Sequence, residues 1–429
     1  MLALESRGSS SMHTFSGQIR RWWRPLAIAA NLIFWLANAV HELIVRGLFL
    51  DFGVDWARFW GASRAFDAVT PSAAYRLPEI ASFMQPLVRY ARPPQGGVRV
   101  GPAPYPPIFL KFFALFTLPS PWIGFVLWTA FNIALALFVF RRLALSFCPA
   151  SRWPVTLVLL SSFPLMMALF VGQVIVLLLV CVMQAVTEFE RGREFRAGLW
   201  TGLLVLKPQY AFCLVLVFLF KRRTHALAGF ASGAALIGLA SFAAGGLGGL
   251  IGYAKMLVTD YPAYAGGTAI NPHGMIGWRA IVLSFLPHLS THASLALVAA
   301  LSMLTMASLP LIWHGPWNPR SDRFTTQLAA TFAVTLLVAY HSQPHGAALL
   351  LVPCALVVAR GAGHPSIRHL LVAAVSLAPF LGLVSALAVG NLSWVSMAIS
   401  AVLIALVAVY AHSEIAARFN WSPMGAIGD

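Results

Sequence analysis

The chain has 429 residues, of which 59% are hydrophobic and 10% are charged, with a mean hydropathy of +0.79. Soluble globular proteins carry about a quarter charged residues, so this composition excludes a soluble chain. A membrane β-barrel would show alternating segments of about ten residues, whereas this sequence has long unbroken apolar runs. We therefore expect an all-α polytopic membrane protein.

The basic residues indicate how the chain is oriented. Lys and Arg exceed Asp and Glu by 16, an excess that would suggest nucleic acid in a soluble protein. Here much of it lies in short segments between apolar runs, as the positive-inside rule describes. We expect a bilayer and no nucleic acid as the partner. Both termini are then cytoplasmic, with a basic tail over 1–24, a membrane core over 25–412 and a second tail over 413–429.

At about 20 apolar residues per span, the runs predict about twelve transmembrane helices, within a range of 10–13. Six are long, near residues 25–46, 121–144, 226–252, 292–313, 368–389 and 393–412. Six are shorter, near residues 153–170, 174–188, 197–206, 209–220, 326–340 and 346–360. Several of these would be paired or broken helices within a multi-pass protein of a bacterial-type plasma membrane.

The first long span is followed by a long extracytoplasmic loop over residues 47–120. It contains the sequence "GVDWARFWGAS", in which Asp55 would suit the N-cap of a helix over Trp56–Phe66 and Arg58 would share its face. The alternative is that Asp55 is a general base that accepts a proton from an incoming hydroxyl. The apolar stretch 108–119 is too short to span and is expected to dip into or lie on the outer leaflet.

Three polar breaks divide the shorter helices. They are Gly172–Gln173, Lys207–Pro208–Gln209 and "HSQPHG" at 341–346, and the alternation of loops places all three on the same side as Asp55. Non-helical backbone at membrane depth is tolerated inside protein or beside a water-filled cavity. The sequence therefore predicts a polar cavity on that side.

Several cationic and aromatic residues could line this cavity. Lys207 stands between apolar runs, so it either contacts a phosphate or extends its ammonium group to the interface. His341 and His345 could contact a phosphate or sugar hydroxyl, or form a buried, satisfied pair. Arg279 begins an apolar run where a second anion contact could form. Tyr105 precedes two prolines that suit a rigid helix start, and it could also face the cavity.

Motifs for other chemistry are missing. The sequence has no GxxxxGK[ST], no GxGxxG between a strand and a helix, and no HExxH. We therefore expect no nucleotide site, no metal and no other cofactor.

The ordered set of motifs resembles glycosyltransferase family 87 of the membrane-embedded GT-C superfamily, from about Val54 to about Pro353. The motifs are "GVDWARFWGASRAF" followed by "AAY", then "YPP" at 105–107, "GQ" at 172–173, "LKPQ" at 206–209 and the late polar loop. The late loop often contains Tyr-Asp in relatives, and this chain has "HSQPHG" instead.

The resemblance implies transfer of a sugar, commonly mannose, from a polyprenyl-phosphate donor to a lipid or glycolipid acceptor on the outer face, with inversion. It assigns the catalytic base to Asp55. The residues expected to bind substrate or phosphate are Arg58, Tyr105, Gln173, Lys207, Gln209, Arg279, His341 and His345.

Two other classes of function remain open from the sequence. A secondary transporter or lipid flippase would also contain broken helices, although the two halves show no repeat and a carrier has no obvious use for so long an outer loop. A membrane acyltransferase using His341 or His345 as base would need an acyl donor on the cytoplasmic side, whereas the loop pattern places both histidines outside.

Overall fold

The computed structural model describes residues 31–41, 43–44, 47–49, 51–90, 100–147, 162–260, 272–360, 365–377 and 393–419, together with Ala29 and Leu159. Within these residues the chain forms helices and turns and no β-strand, which confirms the all-α class. The N-terminal tail, the Pro-rich residues 91–99, the loop residues 261–271, the second half of the predicted span 368–389 and the end of the C-terminal tail lie outside the described residues.

The described α-helices are numbered here in chain order. They are α1 (31–41), α2 (Val54–Ala68), α3 (Leu77–Met84), α4 (Pro107–Phe113), α5 (Pro121–Phe147), α6 (Phe163–Val171), α7 (Ile175–Glu190), α8 (Glu194–Gly202), α9 (Phe212–Phe220), α10 (Thr224–Lys255), α11 (Trp278–Phe285), α12 (Thr291–Met306), α13 (Leu309–Ile312), α14 (Asp322–Val338), α15 (Leu351–Arg360), α16 (Pro365–Val372) and α17 (Ser393–Phe419). Short 3₁₀ helices at Ala73–Tyr75, Gln85–Tyr90, Ala114–Thr117, Leu203–Leu206, Pro208–Tyr210, Pro272–Gly274 and Pro344–Leu350 extend or connect them, as do π-helical turns at Met256–Asp260 and Ala373–Leu377.

Four helical segments are long and apolar enough to cross a membrane. They are Pro121–Leu145, Thr224–Asp260, Thr291–Ile312 and Ser393–Ile415, and each coincides with a predicted long span. Shorter apolar helices cover Pro107–Thr117, Pro208–Phe220 and Pro344–Arg360. The described part of the chain thus supports four spans and several short or broken helices, and the count of about twelve stays a prediction.

The first predicted break is built by a glycine. Gly172 ends α6 in the left-handed conformation, with φ 79°. The backbone N–H of Gln173 donates to the carbonyl of Ala168 at 2.8 Å, and that of Gly172 donates to the carbonyl of Leu169 at 3.2 Å. These two bonds form a Schellman motif, which satisfies the last carbonyls of a helix. The helix therefore ends at the residue before the Gly-Gln pair, as the sequence predicted.

Small residues fasten α8 to α10. Gly198 and Gly202 on α8 face Gly229 and Gly233 on α10, and each pair has GxxxG spacing. A Cβ added to any of the four would lie between 2.0 and 2.4 Å from a backbone oxygen of the other helix. Such close backbone approach stabilises helix pairs in membranes, where apolar contact alone gives little preference over lipid.

Residues 51–90 and 100–120 fold into a helical unit with an aromatic core, which we call the outer unit. Trp56 and Phe113 are fully buried within it, and Trp128 of α5 packs on Phe113 with ring centres 5.0 Å apart. Phe59 packs edge-on against the Tyr105 ring at 4.9 Å. Aromatic pairs of this kind add stabilisation beyond the area they bury. The predicted helix Trp56–Phe66 is confirmed within α2, and the site described below lies where this core meets the larger apolar core of the remaining helices.

Three glycines of α10 pack closely against the outer unit. Cβ atoms added to Gly245 and Gly249 would lie 3.0 and 3.1 Å from Pro107 and Pro71, and one added to Gly252 would lie 3.0 Å from Tyr75. The sequence "GGLGG" at 245–249 therefore serves packing, because Gly245 and Gly249 leave room for the two prolines.

Replacing Gly172 with Ala should destabilise the fold more than the same change at Gly192. Both glycines have a positive φ, 79° and 74°, and both end helices with the same pair of hydrogen bonds. The left-handed conformation costs an alanine about 1–2 kcal/mol. At Gly172 the new Cβ would also lie 2.6 Å from Cβ of Trp56, and such overpacking typically costs about 1–3 kcal/mol more. Thermal unfolding of the two purified variants in detergent measures the difference, and equal melting temperatures would contradict this account.

Candidate active site

Asp55 lies in the first turn of α2. The N-cap of this helix is Gly53, whose φ of 77° sets the entry of the chain, and no side chain caps the helix. The backbone N–H of Gly53 donates to the carbonyl of Phe170 at 2.8 Å, which fastens the start of α2 to α6. The expectation that Asp55 is the N-cap is therefore wrong, because the helix begins at Val54, two residues before the predicted start, and the carboxylate contacts other side chains.

Each oxygen of the Asp55 carboxylate accepts a hydrogen bond from a side chain. Arg58 Nη1 donates to Oδ1 at 3.0 Å, and Gln173 Nε2 donates to Oδ2 at 2.7 Å. The side chains of Asp55 and Arg58 are 14% and 18% exposed, so this ion pair is mostly buried. A carboxylate has about four lone-pair sites, and Asp55 can thus accept a further hydroxyl donor.

Gln173 joins three elements at one amide. Its Oε1 accepts from Tyr105 OH at 3.0 Å, from Lys207 Nζ at 2.9 Å and from the backbone N–H of Val174 at 3.2 Å. Its Nε2 donates to Asp55. The orientation of the amide follows from chemistry, because an ammonium group can only donate, so the oxygen must face Lys207. Two of the predicted breaks and the "YPP" segment therefore meet at a single side chain.

Lys207 is directed into the protein. Its Nζ lies 5.6 Å from the centre of the Tyr105 ring and 6.0 Å from that of Tyr210, within the range of cation–π attraction. Of the two alternatives that the sequence left open, extension of the ammonium to the interface does not occur here. The residue holds the non-helical position between two 3₁₀ turns, Leu203–Leu206 and Pro208–Tyr210.

The third break adjoins the second. Gln209 Nε2 donates to the carbonyl of His341 at 3.3 Å. The charges of Lys207, Arg279 and Arg58 all act electrostatically on the His341 imidazole. His345 is 4% exposed and lies within electrostatic reach of Lys207 and His341. The Gln173 amide thus joins the first two breaks beside Asp55, and Gln209 joins the second break to the third.

Arg279 reaches the same region from α11. It is 6% exposed, and its Cζ lies 4.2 Å from the centre of the Tyr340 ring. The segment before α11 is tied to the third break, because the backbone N–H of Ile276 donates to the carbonyl of Ser342 at 2.7 Å. All nine residues selected from the sequence therefore belong to one connected region.

The structure adds supporting residues that the sequence did not single out. Tyr75 OH donates to the carbonyl of Tyr105 at 2.9 Å, and Trp128 Nε1 donates to the carbonyl of Gly172 at 2.9 Å. The sequence contained a hint of Tyr75, because this residue belongs to the motif "AAY". It contained no hint of Trp128, which lies in the long apolar helix α5. Gly101 packs directly on the Arg58 side chain.

The arrangement combines one carboxylate with three basic side chains, two imidazoles and several amide or phenol groups. A carboxylate with spare lone pairs can accept a proton from a hydroxyl group. Cationic side chains in a site with little water can bind phosphate and stabilise charge that develops on it. Among the described residues, no group of three or more His, Cys, Asp or Glu side chains is arranged to hold a metal ion.

The fold and the site define a membrane-embedded helical protein with a polar site beside a helical outer unit. The model of glycosyltransferase family 87 matches residues 104–340, which is more than half of the chain. The chain belongs to glycosyltransferase family 87, which confirms the resemblance. The match includes Tyr105, Gln173, Lys207, Gln209 and Arg279, and ends before His341; Asp55 and Arg58 precede it. No curated protein and no solved structure matches the chain.

Changing Gln173 to Glu should abolish most glycosyl transfer although the two side chains have the same shape. The new carboxylate would keep the contacts with Tyr105 and Lys207, but it would replace the donor to Asp55 with a like charge. Asp55 would turn away, and misplacement of a reacting group by about 1 Å can cost about 10² in rate. The measurement is the initial rate of transfer by the purified protein.

The matched control is Gln209→Glu. Gln209 makes one long hydrogen bond, to a backbone carbonyl, so its replacement should have the smaller effect. If the two variants lose activity equally, Gln173 does not have the specific positioning role described here.

Proposed function

We propose that this protein transfers a sugar from a polyprenyl-phosphate donor to the hydroxyl of a lipid or glycolipid acceptor, with inversion at the anomeric carbon. Mannose is the first sugar to test, followed by other hexoses and pentoses. The single observation that carries the proposal is the hydrogen-bonded series Asp55–Gln173–Lys207, which holds a carboxylate and an ammonium group at fixed positions on either side of one amide.

In this reaction Asp55 acts as the general base. It accepts the proton of the acceptor hydroxyl as the oxygen attacks the anomeric carbon, and the bond from that carbon to the phosphate oxygen breaks. Arg58 and Gln173 hold the two carboxylate oxygens through one hydrogen bond each. Fixed donors of this kind keep the base oriented before the substrate arrives, which lowers the cost of reaching the transition state.

Lys207, Arg279 and Arg58 act on the phosphate. Cleavage of the sugar–phosphate bond turns a singly charged phosphodiester into a leaving group with more negative charge, so cationic partners stabilise the transition state more than the bound donor. His341 and His345 lie among these charges and can donate hydrogen bonds to phosphate or sugar. Tyr105 and Gln209 complete the lining.

The membrane arrangement is proposed from the sequence and the family. We infer a GT-C architecture with about twelve spans in a bacterial-type plasma membrane, with cytoplasmic termini and the 47–120 loop on the extracytoplasmic face. Support comes from the four long apolar helices and from the basic segments between the predicted spans. A lipid-linked donor would also remove the need for a nucleotide-binding fold.

Replacing Asp55 with Asn should remove the base while keeping the size of the side chain. Loss of general-base catalysis typically costs about 10²–10⁴ in rate. The measurement is transfer from radiolabelled polyprenyl-phosphate mannose in membranes that contain the wild type or Asp55→Asn.

Asp67→Asn is the matched control, because Asp67 also lies on α2 and is paired with a cation, Lys111, at 2.8 Å, but its side chain is 40% exposed. Full activity of Asp67→Asn beside an inactive Asp55→Asn supports the assignment. Equal transfer by wild type and Asp55→Asn would refute it and make Asp51, the carboxylate four residues earlier in the chain, the next candidate base. If no donor sugar supports transfer by the wild type, the transporter or flippase alternative gains weight.

Lys207→Met should lower kcat/KM for the donor about 10- to 100-fold, since a hydrogen bond to a charged group contributes about 1.5–3 kcal/mol. Most of the loss should fall on kcat, because the ammonium group stabilises the transition state more than the bound donor. Lys111→Met removes a cation whose side chain is 54% exposed and should leave kcat/KM unchanged. Steady-state kinetics with varied donor concentration distinguish the two variants, and an unchanged kcat/KM for Lys207→Met would show that its ammonium group does not act on the phosphate.

A further inference from the structure

A short irregular segment packs on Arg58. Residues 100–105 run into the helix α4, and Gly101, Pro102 and Ala103 within them are buried. The segment is fixed at its end by Tyr105, whose carbonyl accepts from Tyr75 OH and whose own hydroxyl donates to Gln173. Its position relative to the site is therefore set by two hydrogen bonds.

Gly101 lies directly on the Arg58 guanidinium. A Cβ added at Gly101 would lie 2.6 Å from Arg58 Nε, 2.9 Å from Cζ and 3.2 Å from Nη2. The φ of Gly101 is not positive, so an alanine could adopt its backbone conformation. The reason for glycine at this position is thus the space that the guanidinium occupies, and not the backbone.

The atoms in conflict belong to the outer part of a flexible side chain. An added methyl group would push the guanidinium aside at little cost to the backbone, in contrast to the four glycines between α8 and α10, which meet backbone oxygens. The displaced guanidinium would leave its place beside Asp55 Oδ1, which it now contacts at 3.0 Å.

The geometry points to Gly101 as a positioning residue: its missing side chain forms a slot that holds Arg58 against Asp55. In the proposed reaction, on which the kinetic consequence rests, Arg58 keeps one carboxylate oxygen fixed while the other is held by Gln173. Without the slot, Asp55 would be held at one oxygen and would rotate about its side-chain bonds. We expect the loss to fall on kcat, since orientation of the base matters in the transition state.

The first experiment is independent of any substrate. Purified full-length protein is treated with phenylglyoxal, and modification of Arg58 is followed by peptide mass spectrometry. The variants are Gly101→Ala and the control Gly238→Ala, which has no heavy atom within 4 Å of its added Cβ. Arg58 should react severalfold faster in Gly101→Ala and at the wild-type rate in Gly238→Ala. An unchanged rate in Gly101→Ala would overturn the proposal.

The second experiment measures transfer kinetics in a double-mutant cycle. Gly101→Ala should lower kcat about 10- to 100-fold, and the same change should have no further effect in an Arg58→Ala background. Losses that multiply would show that Gly101 acts on something other than Arg58 and would also overturn the proposal. If the wild type transfers no sugar, the proposed function fails, while the phenylglyoxal result still decides whether Gly101 holds Arg58.

Discussion

The orientation of one amide governs the site. Lys207 can only donate hydrogen bonds, so Oε1 of Gln173 faces the ammonium and Nε2 faces Asp55. Without an intervening group, a neighbouring carboxylate and ammonium group would form a direct ion pair. Neither group would then be available to a substrate. The inserted amide keeps them apart while satisfying both. In a glycosyltransferase this separation leaves the carboxylate available to a hydroxyl and the ammonium available to an anion.

The surrounding fold can be understood as support for that amide. Gly172 turns the chain, so that Gln173 follows α6 without continuing the helix. The indole N–H of Trp128 donates to the Gly172 carbonyl and thereby fixes this turn. Tyr105 reaches Gln173 from a segment that two prolines stiffen. The aromatic core of the outer unit holds these groups in place, since stacked and edge-on rings have few alternative packings.

Local signals predicted the helices and the breaks well. Hydropathy located four of the six predicted long helices within the part of the chain that the structure describes. Gly, Pro and polar residues located the three breaks, because these residues have direct consequences for backbone hydrogen bonding. The role of Asp55 as a cap was wrongly inferred, since Gly53 could begin the helix instead. The contacts of Gln173 with Asp55 and Lys207 join residues 118 and 34 positions apart, and the packing of Gly101 on Arg58 depends on the tertiary fold. No local pattern contains such information.

A break inside α10 has a consequence for the lipid environment. Gly246 has φ 59° and ψ −169°, so the 32 residues of α10 form two helical pieces joined at a kink. The first piece, residues 224–245, corresponds to about 33 Å at 1.5 Å per residue, close to the hydrocarbon thickness of a bilayer, which is about 30 Å. Gly249 and Gly252, which contact the outer unit, lie after the kink. The backbone at one glycine thus sets the direction in which the outer unit leaves a helix of membrane length.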